Sequence, residues 1–206
     1  MLQTQTEKWW YQYTVDDVFV GQTPIFLDRD GVINIDIGYL SKPEDVRLMP
    51  HAATAIARFN AARRPVIIVT NQSGIGRGYY GWSDFEATQH EIQRQLSISG
   101  GHMDAAFASP FHHHGNPPYN FEEHPWRKPN PGMLLAARDL LGIDLSNAWL
   151  VGDNVSDILA AKAAGCVGGV LVGDTKTFTP SDYNLLSRNF QAEQASNLLH
   201  ATKFIL

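Results

Sequence analysis

Short apolar runs alternate with amphipathic stretches from residue 24 to the end of the chain. Each run suits a short buried strand, and each amphipathic stretch repeats its apolar residues at helical spacing. A chain that alternates in this way forms βαβ units, whose strands pair in parallel. We therefore predict an α/β fold with a central parallel sheet. The expected strands are residues 25–27, 66–69, 105–108, 149–151 and 170–172, with an extended piece near 189–192; the expected helices are residues 52–62, 83–96, 131–141, 158–164 and 196–202.

Polar residues cluster where three of these strands end. Asp28 and Asp30 follow the first strand, Thr70 and Asn71 follow the second, and Asp153 follows the fourth. In open parallel sheets, ligands bind at the carboxyl ends of the strands. The sequence therefore predicts that separated segments converge on one crevice.

The first segment reads FLDRDG, with Asp28 and Asp30 two apart and Gly31 free to turn the backbone. Two carboxylates at one strand end suit Mg²⁺, which prefers oxygen ligands. A carboxylate can also attack phosphorus as a nucleophile while its neighbour handles the proton of the leaving group. Alternatively, each aspartate only caps a turn.

The second segment continues from Thr70 and Asn71 through Gln72 and Ser73 into a glycine-rich stretch that contains Arg77. Hydroxyl groups and backbone N–H groups in such a turn can hold a phosphoryl group, so these residues are candidates for substrate binding. The stretch could instead be a flexible connector. Arg77 is expected to be a surface charge unless the substrate carries a second anion.

Arg127 and Lys128 form the third segment, in RKPNPG, where Pro129 and Pro131 fix the backbone before a helix. Lys128 could neutralise phosphoryl charge, and Arg127 could bind a distal phosphate through its planar fork. An isolated Arg-Lys pair is more often exposed to solvent.

The fourth segment, GDNVSD, places Asp153 and Asp157 four residues apart at a strand-to-helix junction. Asp153 suits a metal ligand. Asp157, one helical turn later, suits a residue that orients metal-bound water or Lys128, and it could also cap the helix.

Composition excludes several classes of protein. Lys+Arg 16 against Asp+Glu 21 gives a net charge of -5, without the basic excess of nucleic-acid-binding proteins. No apolar run approaches the roughly 18 to 20 residues that span a bilayer. Cys166 is the only cysteine, which excludes an internal disulfide and a Cys-rich zinc module. We therefore expect a cytoplasmic protein without nucleic-acid or membrane partners.

Residues 1–23 form an aromatic N-terminal extension that lacks the pattern of a signal peptide. Its aromatic side chains are expected to pack across an edge of the domain or onto another subunit. Residues 24–206 are expected to form a single domain. Within it, residues 109–131 are rich in Pro, His, Asn and Gly, and loops of such length are usually functional.

The segments FLDRDG, VTNQSG, RKP and VGDNVSD, in this order, resemble the four motifs of the haloacid dehalogenase (HAD) superfamily of phosphohydrolases. The longer strings FLDRDGVINIDIGYL, VTNQSGIGRGYY, RKPNPGMLLAARD and VGDNVSDILAAKAAG resemble its D-glycero-D-manno-heptose 1,7-bisphosphate 7-phosphatases, which are relatives of the histidinol-phosphate phosphatases. The resemblance covers residues 24–176. It implies a Rossmann-like three-layer sandwich with little or no cap domain, a Mg²⁺ cofactor and an aspartyl-phosphate intermediate.

The resemblance also implies roles for individual residues. Asp28 would be the nucleophile, and Asp30 the general acid and then base, with its backbone carbonyl on the metal. Thr70 and Lys128 would hold the phosphoryl group. Asp28 and Asp153 would bind Mg²⁺. Arg127 would contact the other phosphate of the substrate.

One part of the chain departs from that branch, in which a loop reading Cys-x-His and then Cys-x-Cys-Arg-Lys-Pro often holds zinc. Here Ser109 and Phe111 stand in the first half, and His124 and Trp126 in the second. Structural zinc favours thiolate ligands, so we expect no structural zinc and a loop at 109–131 that borders the active site and is stiffened by aromatic packing. Histidine-only binding of a metal by residues 112–114 stays open.

The expected function is that of a Mg²⁺-dependent phosphatase acting on a small phosphorylated sugar, with heptose bisphosphate as the leading substrate. The alternatives are histidinol phosphate, another metabolite phosphate, or a non-catalytic phosphate-binding protein. A monomer is favoured, and sequence does not fix the oligomeric state.

Overall fold

The computed structural model describes residues 19–173, 177–186 and 189–206, together with the backbone of two strands nearer the N-terminus. An eight-stranded sheet lies at the centre. In the order of the chain, its strands are β1 (Leu2–Gln5), β2 (Trp10–Tyr13), β3 (Ile25–Leu27), β4 (Val66–Asn71), β5 (Ala105–Ser109), β6 (Trp149–Gly152), β7 (Gly168–Val172) and β8 (Gln191–Ala195).

The strands are ordered β1-β2-β5-β4-β3-β6-β7-β8 across the sheet. Six neighbouring strands, β5, β4, β3, β6, β7 and β8, are parallel, as the βαβ alternation predicts. The described helices are α1 (Ala52–Ala61), α2 (Ser73–Gly76), α3 (Trp82–Ser97), α4 (Gly132–Leu141), α5 (Val155–Ala164), α6 (Pro180–Leu185) and α7 (Leu198–Ile205), with a short 3-10 helix at Pro43–Asp45.

Two apolar clusters cover the two faces of the sheet. Helices α1, α3 and α7 contribute to one cluster, and α4 and α5 to the other. Side chains of β3 alternate between them, because Ile25 and Leu27 join the first cluster and Phe26 the second. All three are fully buried. The prediction of a Rossmann-like three-layer α/β sandwich is therefore confirmed.

Between β3 and α1 the chain forms turns, the 3-10 helix and isolated bridges such as Asn34 with Leu48, rather than a separate cap domain. Within the described residues, this leaves the carboxyl ends of the strands open to solvent on that side. Helices α4 and α5 end at Gly142 and Gly165, whose positive φ angles of 66° and 84° suit glycine at the end of a helix.

Four details differ from the sequence prediction. The glycine-rich stretch after β4 forms the helical turn α2. Its Gly76 packs closely against Pro110, because an added Cβ would lie 2.1 Å from the Pro110 carbonyl oxygen, and only glycine permits that packing. Helix α3 begins at Trp82, one residue before the predicted start, and the N–H of the preceding Gly81 donates a hydrogen bond to the Asp84 carboxylate. Helix α6 was not predicted. The last strand and helix lie at Gln191–Ala195 and Leu198–Ile205, slightly later than expected.

The N-terminal extension adds two strands that the sequence analysis did not predict. Strand β2 pairs antiparallel with β5, the outermost of the six parallel strands, and β1 pairs antiparallel with β2. The packing of the aromatic side chains of residues 1–18 lies outside the described residues. No helix in the described ranges is long and apolar enough to cross a membrane.

Candidate active site

The carboxyl ends of β3, β4 and β6 and the loop before α4 surround a cleft of about 490 Å³. The structure therefore brings together polar residues from all four predicted segments. The predicted residues that line the cleft are Asp28, Asp30, Thr70, Asn71, Arg127, Lys128, Asp153 and Asp157. Gln72, Ser73 and Arg77, also predicted to bind substrate, lie outside this lining.

Lys128 lies at the floor of this cleft and is almost completely buried. Its Nζ atom lies 2.9 Å from Asp28 Oδ1 and 2.6 Å from Asp157 Oδ1. It also donates a hydrogen bond of 2.7 Å to the carbonyl oxygen of Val69 in β4. A buried ammonium needs such partners because it has left water. Lys128 therefore joins the ends of β3 and β4 to the start of α5.

The pKa values of Asp28 and Lys128 are both raised, for different reasons. Burial, with the nearby charges of Asp157 and Asp30, raises the pKa of Asp28 to about 7, although Lys128 opposes the rise. Burial alone would lower the pKa of Lys128, but the carboxylates of Asp157 and Asp28 raise it above its ordinary value. Lys128 is therefore positively charged at neutral pH, and additional positive charge beside Asp28 would favour its ionised form.

Three carboxylates form a candidate cation site. One oxygen from each of Asp28, Asp153 and Asp157 lies within 4.8 Å of the other two. Gly31, with φ of 81°, permits this approach, since an added Cβ would lie 2.4 Å from Asp153 Oδ2. A set of carboxylate oxygens suits a hard divalent cation such as Mg²⁺. The donor set therefore fits the expected cofactor.

Asp157 has more contacts than the sequence analysis foresaw. It is buried, and its Oδ2 accepts a hydrogen bond of 3.0 Å from the backbone N–H of Asn154 at the start of α5. Its Oδ1 faces Lys128. The Asp157 side chain thus both caps α5 and orients Lys128. Asp157 also belongs to the carboxylate cluster.

Asp30 lies in a different electrostatic environment. Its carboxylate accepts hydrogen bonds from Arg29, which approaches to 3.0 Å, and from Asn34 and Gln72, both at 2.8 Å. Burial raises its pKa, but the charge of Arg29 and the hydrogen bonds from Asn34, Arg29 and Gln72 outweigh burial and hold the pKa below its ordinary value. Asp30 is therefore ionised in this conformation.

Thr70 and Asn71 are the last two residues of β4. Thr70 is buried, and its Oγ1 accepts a hydrogen bond of 2.8 Å from Gln72. Asn71 holds the backbone of Lys128 on both sides: its Oδ1 accepts from the Lys128 N–H at 3.1 Å, and its Nδ2 donates to the Lys128 carbonyl at 3.2 Å. Asn71 therefore fixes the position of the lysine within the cleft.

Arg127, Arg77 and His112 form a basic cluster beside the cleft. Arg127 lines the cleft, and its Nη1 donates to the carbonyl oxygen of Phe111 at 2.9 Å. Behind it, Arg77 donates to the Tyr39 hydroxyl at 2.9 Å, and its Nη2 lies 3.1 Å from His112 Nε2. Burial and the charge of Arg77 lower the pKa of Arg127.

The loop at 109–131 is packed by aromatic rings, as expected. Phe111 is fully buried, and its ring stacks on His124 with 3.3 Å between centroids and 14° between planes. Phe121 and Tyr119 meet Phe111 edge-on. Trp126 packs against Phe107 of β5. Three of the four positions that differ from the zinc-loop pattern, Phe111, His124 and Trp126, therefore contribute to aromatic packing here.

Sequence reasoning missed several residues of the site. Arg29 is fully buried, and besides Asp30 it contacts Gln72 and lies over the ring of Phe85. The sequence did contain a signal for Arg29, because this arginine stands between two aspartates at a strand end. Asn34 and Tyr80 carried no comparable signal, because their contacts with the site depend on long-range packing. Asp36, Gly38, Pro129, Asn154 and Ser156 also line the cleft.

This combination of fold and site defines a HAD-like hydrolase, and comparison with known proteins agrees. The family model described as HAD-hydrolase-like matches residues 125–189. The D-glycero-beta-D-manno-heptose-1,7-bisphosphate 7-phosphatase of Mesorhizobium japonicum is 42% identical over 172 residues, which cover 83% of this chain and 79% of the relative. The enzyme of the same name from Escherichia coli is 36% identical over 160 residues, which cover 78% of this chain and 84% of that relative.

Solved structures give the same result. A protein from Mesorhizobium loti described as a HAD-like phosphatase has a TM-score of 0.85 and 37% identity, covering 98% of this chain and 96% of its own. The D,D-heptose 1,7-bisphosphate phosphatase of B. bronchiseptica, solved with magnesium and phosphate, has a TM-score of 0.73 and 29% identity, covering 89% and 98%. The chain belongs to the family of HAD-like phosphatases that contains the heptose bisphosphate 7-phosphatases.

The basic cluster generates a prediction about pH. Burial and the charges of Arg127 and Arg77 lower the pKa of His112 from 6.5 to about 4. The unfolded chain therefore binds a proton at this residue between these pH values while the folded chain does not, and stability is lost as the pH falls through this range. His112→Gln should narrow the difference in free energy of unfolding between pH 7 and about pH 4.5, measured by urea denaturation. If the free energy of unfolding changed equally with pH in the original protein and in His112→Gln, the lowered pKa of His112 would be contradicted.

Proposed function

We propose that the protein hydrolyses the 7-phosphate of D-glycero-D-manno-heptose 1,7-bisphosphate and releases inorganic phosphate and the 1-phosphate. The single structural observation that carries the phosphatase function is the buried Lys128 between Asp28 and Asp157, beside a carboxylate cluster that fits Mg²⁺. The heptose substrate is supported by the relatives, which are named for it. These names favour heptose bisphosphate over histidinol phosphate, and the intact cluster of charged residues disfavours a non-catalytic binding protein.

Asp28 is the nucleophile in this mechanism. A carboxylate oxygen of Asp28 attacks phosphorus, and the bond between phosphorus and the sugar oxygen breaks. Lys128 neutralises charge on the phosphoryl group, and the Thr70 hydroxyl donates a hydrogen bond to it. Asp28, Asp153 and the backbone carbonyl of Asp30 would hold Mg²⁺, which would supply further positive charge to stabilise the phosphoryl group.

Asp30 moves the proton in both halves of the reaction. The approaching phosphate dianion raises the pKa of Asp30, which takes up a proton from solvent as substrate binds and then donates that proton to the departing sugar oxygen. In the second half, ionised Asp30 takes a proton from water, which attacks the aspartyl phosphate and releases inorganic phosphate from Asp28. The hydrogen bonds that Asp30 accepts from Arg29, Asn34 and Gln72 favour this ionised form.

The second phosphate of the substrate binds at the basic cluster in this proposal. Arg127 lines the cleft and offers a planar guanidinium to an oxyanion, while Arg77 and His112 lie behind it. Among the described residues, neither arginine forms an ion pair with a carboxylate. Gln72 acts through its hydrogen bonds to Asp30 and Thr70, and Asn71 acts through the backbone of Lys128.

We also propose that residues 24–206 form the phosphatase domain and that the protein is a cytoplasmic monomer without structural zinc. Cys166 as the single cysteine supports a reducing compartment. The aromatic packing of Phe111 with His124 supports a loop that keeps its shape without a metal.

Phosphate release from a panel of substrates tests the function. The panel contains both anomers of heptose 1,7-bisphosphate, fructose bisphosphate, histidinol phosphate and an aryl phosphate, with Mg²⁺ or with a chelator. We expect kcat/KM for one heptose anomer to exceed that of the other sugar phosphates at least about tenfold, and chelation to remove activity. Equal rates with fructose bisphosphate would overturn the substrate, and no release from any ester would overturn the phosphatase function.

Asp28→Asn tests the nucleophile. The amide cannot form the acyl phosphate, so kcat should fall at least about a thousandfold while the protein stays folded. The matched control is Asp139→Asn, whose side chain is 63% exposed on α4 and should leave kcat unchanged. Circular dichroism and Tm verify folding in both variants. Substantial activity in folded Asp28→Asn would mean that another group attacks phosphorus.

Arg127→Ala tests the distal phosphate site. Loss of a charge-assisted contact should raise KM for heptose 1,7-bisphosphate by roughly 10- to 100-fold. KM for heptose 7-phosphate, which lacks the second phosphate, should change little. Arg138→Ala, at an exposed position on α4, is the control. Equal increases in KM for both substrates would place Arg127 away from the second phosphate.

A further inference from the structure

Tyr80 lies between α2 and α3, outside the four motifs and outside the residues that line the cleft. Its hydroxyl donates a hydrogen bond of 2.5 Å to Gln72 Oε1. The ring is held in place by close packing, because an added Cβ at Gly74 would lie 2.2 Å from Tyr80 Cε1. The hydroxyl is therefore held against the side chain of a buried glutamine.

All four hydrogen-bonding positions of the Gln72 amide are used. Its oxygen accepts from Tyr80 and, at 3.1 Å, from Arg29 Nη2. Its nitrogen donates to Asp30 Oδ2 and to Thr70 Oγ1, both at 2.8 Å. One amide therefore connects Tyr80 and Arg29 on one side with two residues of the catalytic site on the other.

The two donors determine which way this amide points. A flipped Gln72 would place its N–H groups against Arg29, which cannot accept a hydrogen bond, and its oxygen against the carboxylate of Asp30. In the observed orientation Gln72 donates to the oxygen of Thr70. The hydroxyl hydrogen of Thr70 is then left to be donated elsewhere, and Thr70 lines the cleft.

We infer that Tyr80 is a positioning residue, which acts through Gln72 to hold the Asp30 carboxylate in place and to direct the Thr70 hydroxyl hydrogen toward the phosphoryl group. This inference rests on the proposed function and adds a residue to it. Arg29 supports the same orientation from the other side of the Gln72 oxygen.

Tyr80→Phe removes only the hydroxyl and keeps the ring that packs on Gly74. We expect kcat for heptose bisphosphate to fall about 3- to 10-fold, which is the loss expected when one hydrogen bond is removed, with KM nearly unchanged. The fall should be smaller for an aryl phosphate, whose leaving group needs less help from Asp30. Tyr79→Phe is the matched control, because Tyr79 is 60% exposed, and it should retain the kcat of the unmodified protein.

A double-mutant cycle with Gln72→Met separates positioning from a merely structural role. If Tyr80 acts through Gln72, Tyr80→Phe should have no further effect on kcat once Gln72 is replaced. The same loss in both backgrounds would overturn the inference. If Gln72→Met does not fold, as judged by Tm, the comparison of leaving groups decides: equal losses for the sugar and aryl esters, or no loss in Tyr80→Phe, would overturn it.

The unmodified protein is assayed in parallel, so the two proposals can fail separately. Full activity of the unmodified protein together with full activity of Tyr80→Phe overturns the role of Tyr80 alone. No phosphate release by the unmodified protein overturns the proposed function and this inference with it.

Discussion

The site depends on a buried ammonium that has exchanged water for three oxygen atoms. Lys128 binds Asp28, Asp157 and the carbonyl of Val69, which belong to three different elements of the fold. An ammonium without such partners is too costly to bury, so the ends of β3 and β4 and the start of α5 must meet at this point. The parallel sheet supplies this meeting point, since it brings the carboxyl ends of its strands to one edge. The need to pair the buried charge of Lys128 therefore constrains the packing of the fold and the geometry of the site together.

Asp28 and Asp30 are two residues apart and have opposite environments. Asp28 is surrounded by carboxylates and by one lysine, and its pKa is raised to about 7. Asp30 accepts hydrogen bonds from Arg29, Asn34 and Gln72, which hold its pKa below the ordinary value despite burial. Different charged partners, Lys128 for Asp28 and Arg29 for Asp30, therefore give two nearby carboxylates the distinct environments that a nucleophile and a proton-transfer group need.

The parts of the molecule that follow local patterns could be predicted from the sequence. Strands β3 to β7 are short apolar runs, and Asp28, Thr70 and Asp153 lie at the ends of three of them, so the convergence of these residues required only the parallel topology. Strands β1 and β2 were missed because LQTQ and WYQY lack the continuous aliphatic runs that marked the other strands, although WYQY is rich in strand-forming residues. The contacts of Arg29 and Tyr80 were missed because both depend on where Gln72 lies in space.

The aromatic packing of residues 109–131 has a chemical consequence. Thiolates are the groups in proteins that oxidants and soft metals attack most readily. The loop beside the cleft contains no cysteine, and Phe111 and His124 hold its two halves together through stacked rings. The single thiol, Cys166, is buried, and burial raises its pKa to about 12. The packing of this loop beside the cleft therefore does not depend on a thiol that oxidants or soft metals would attack.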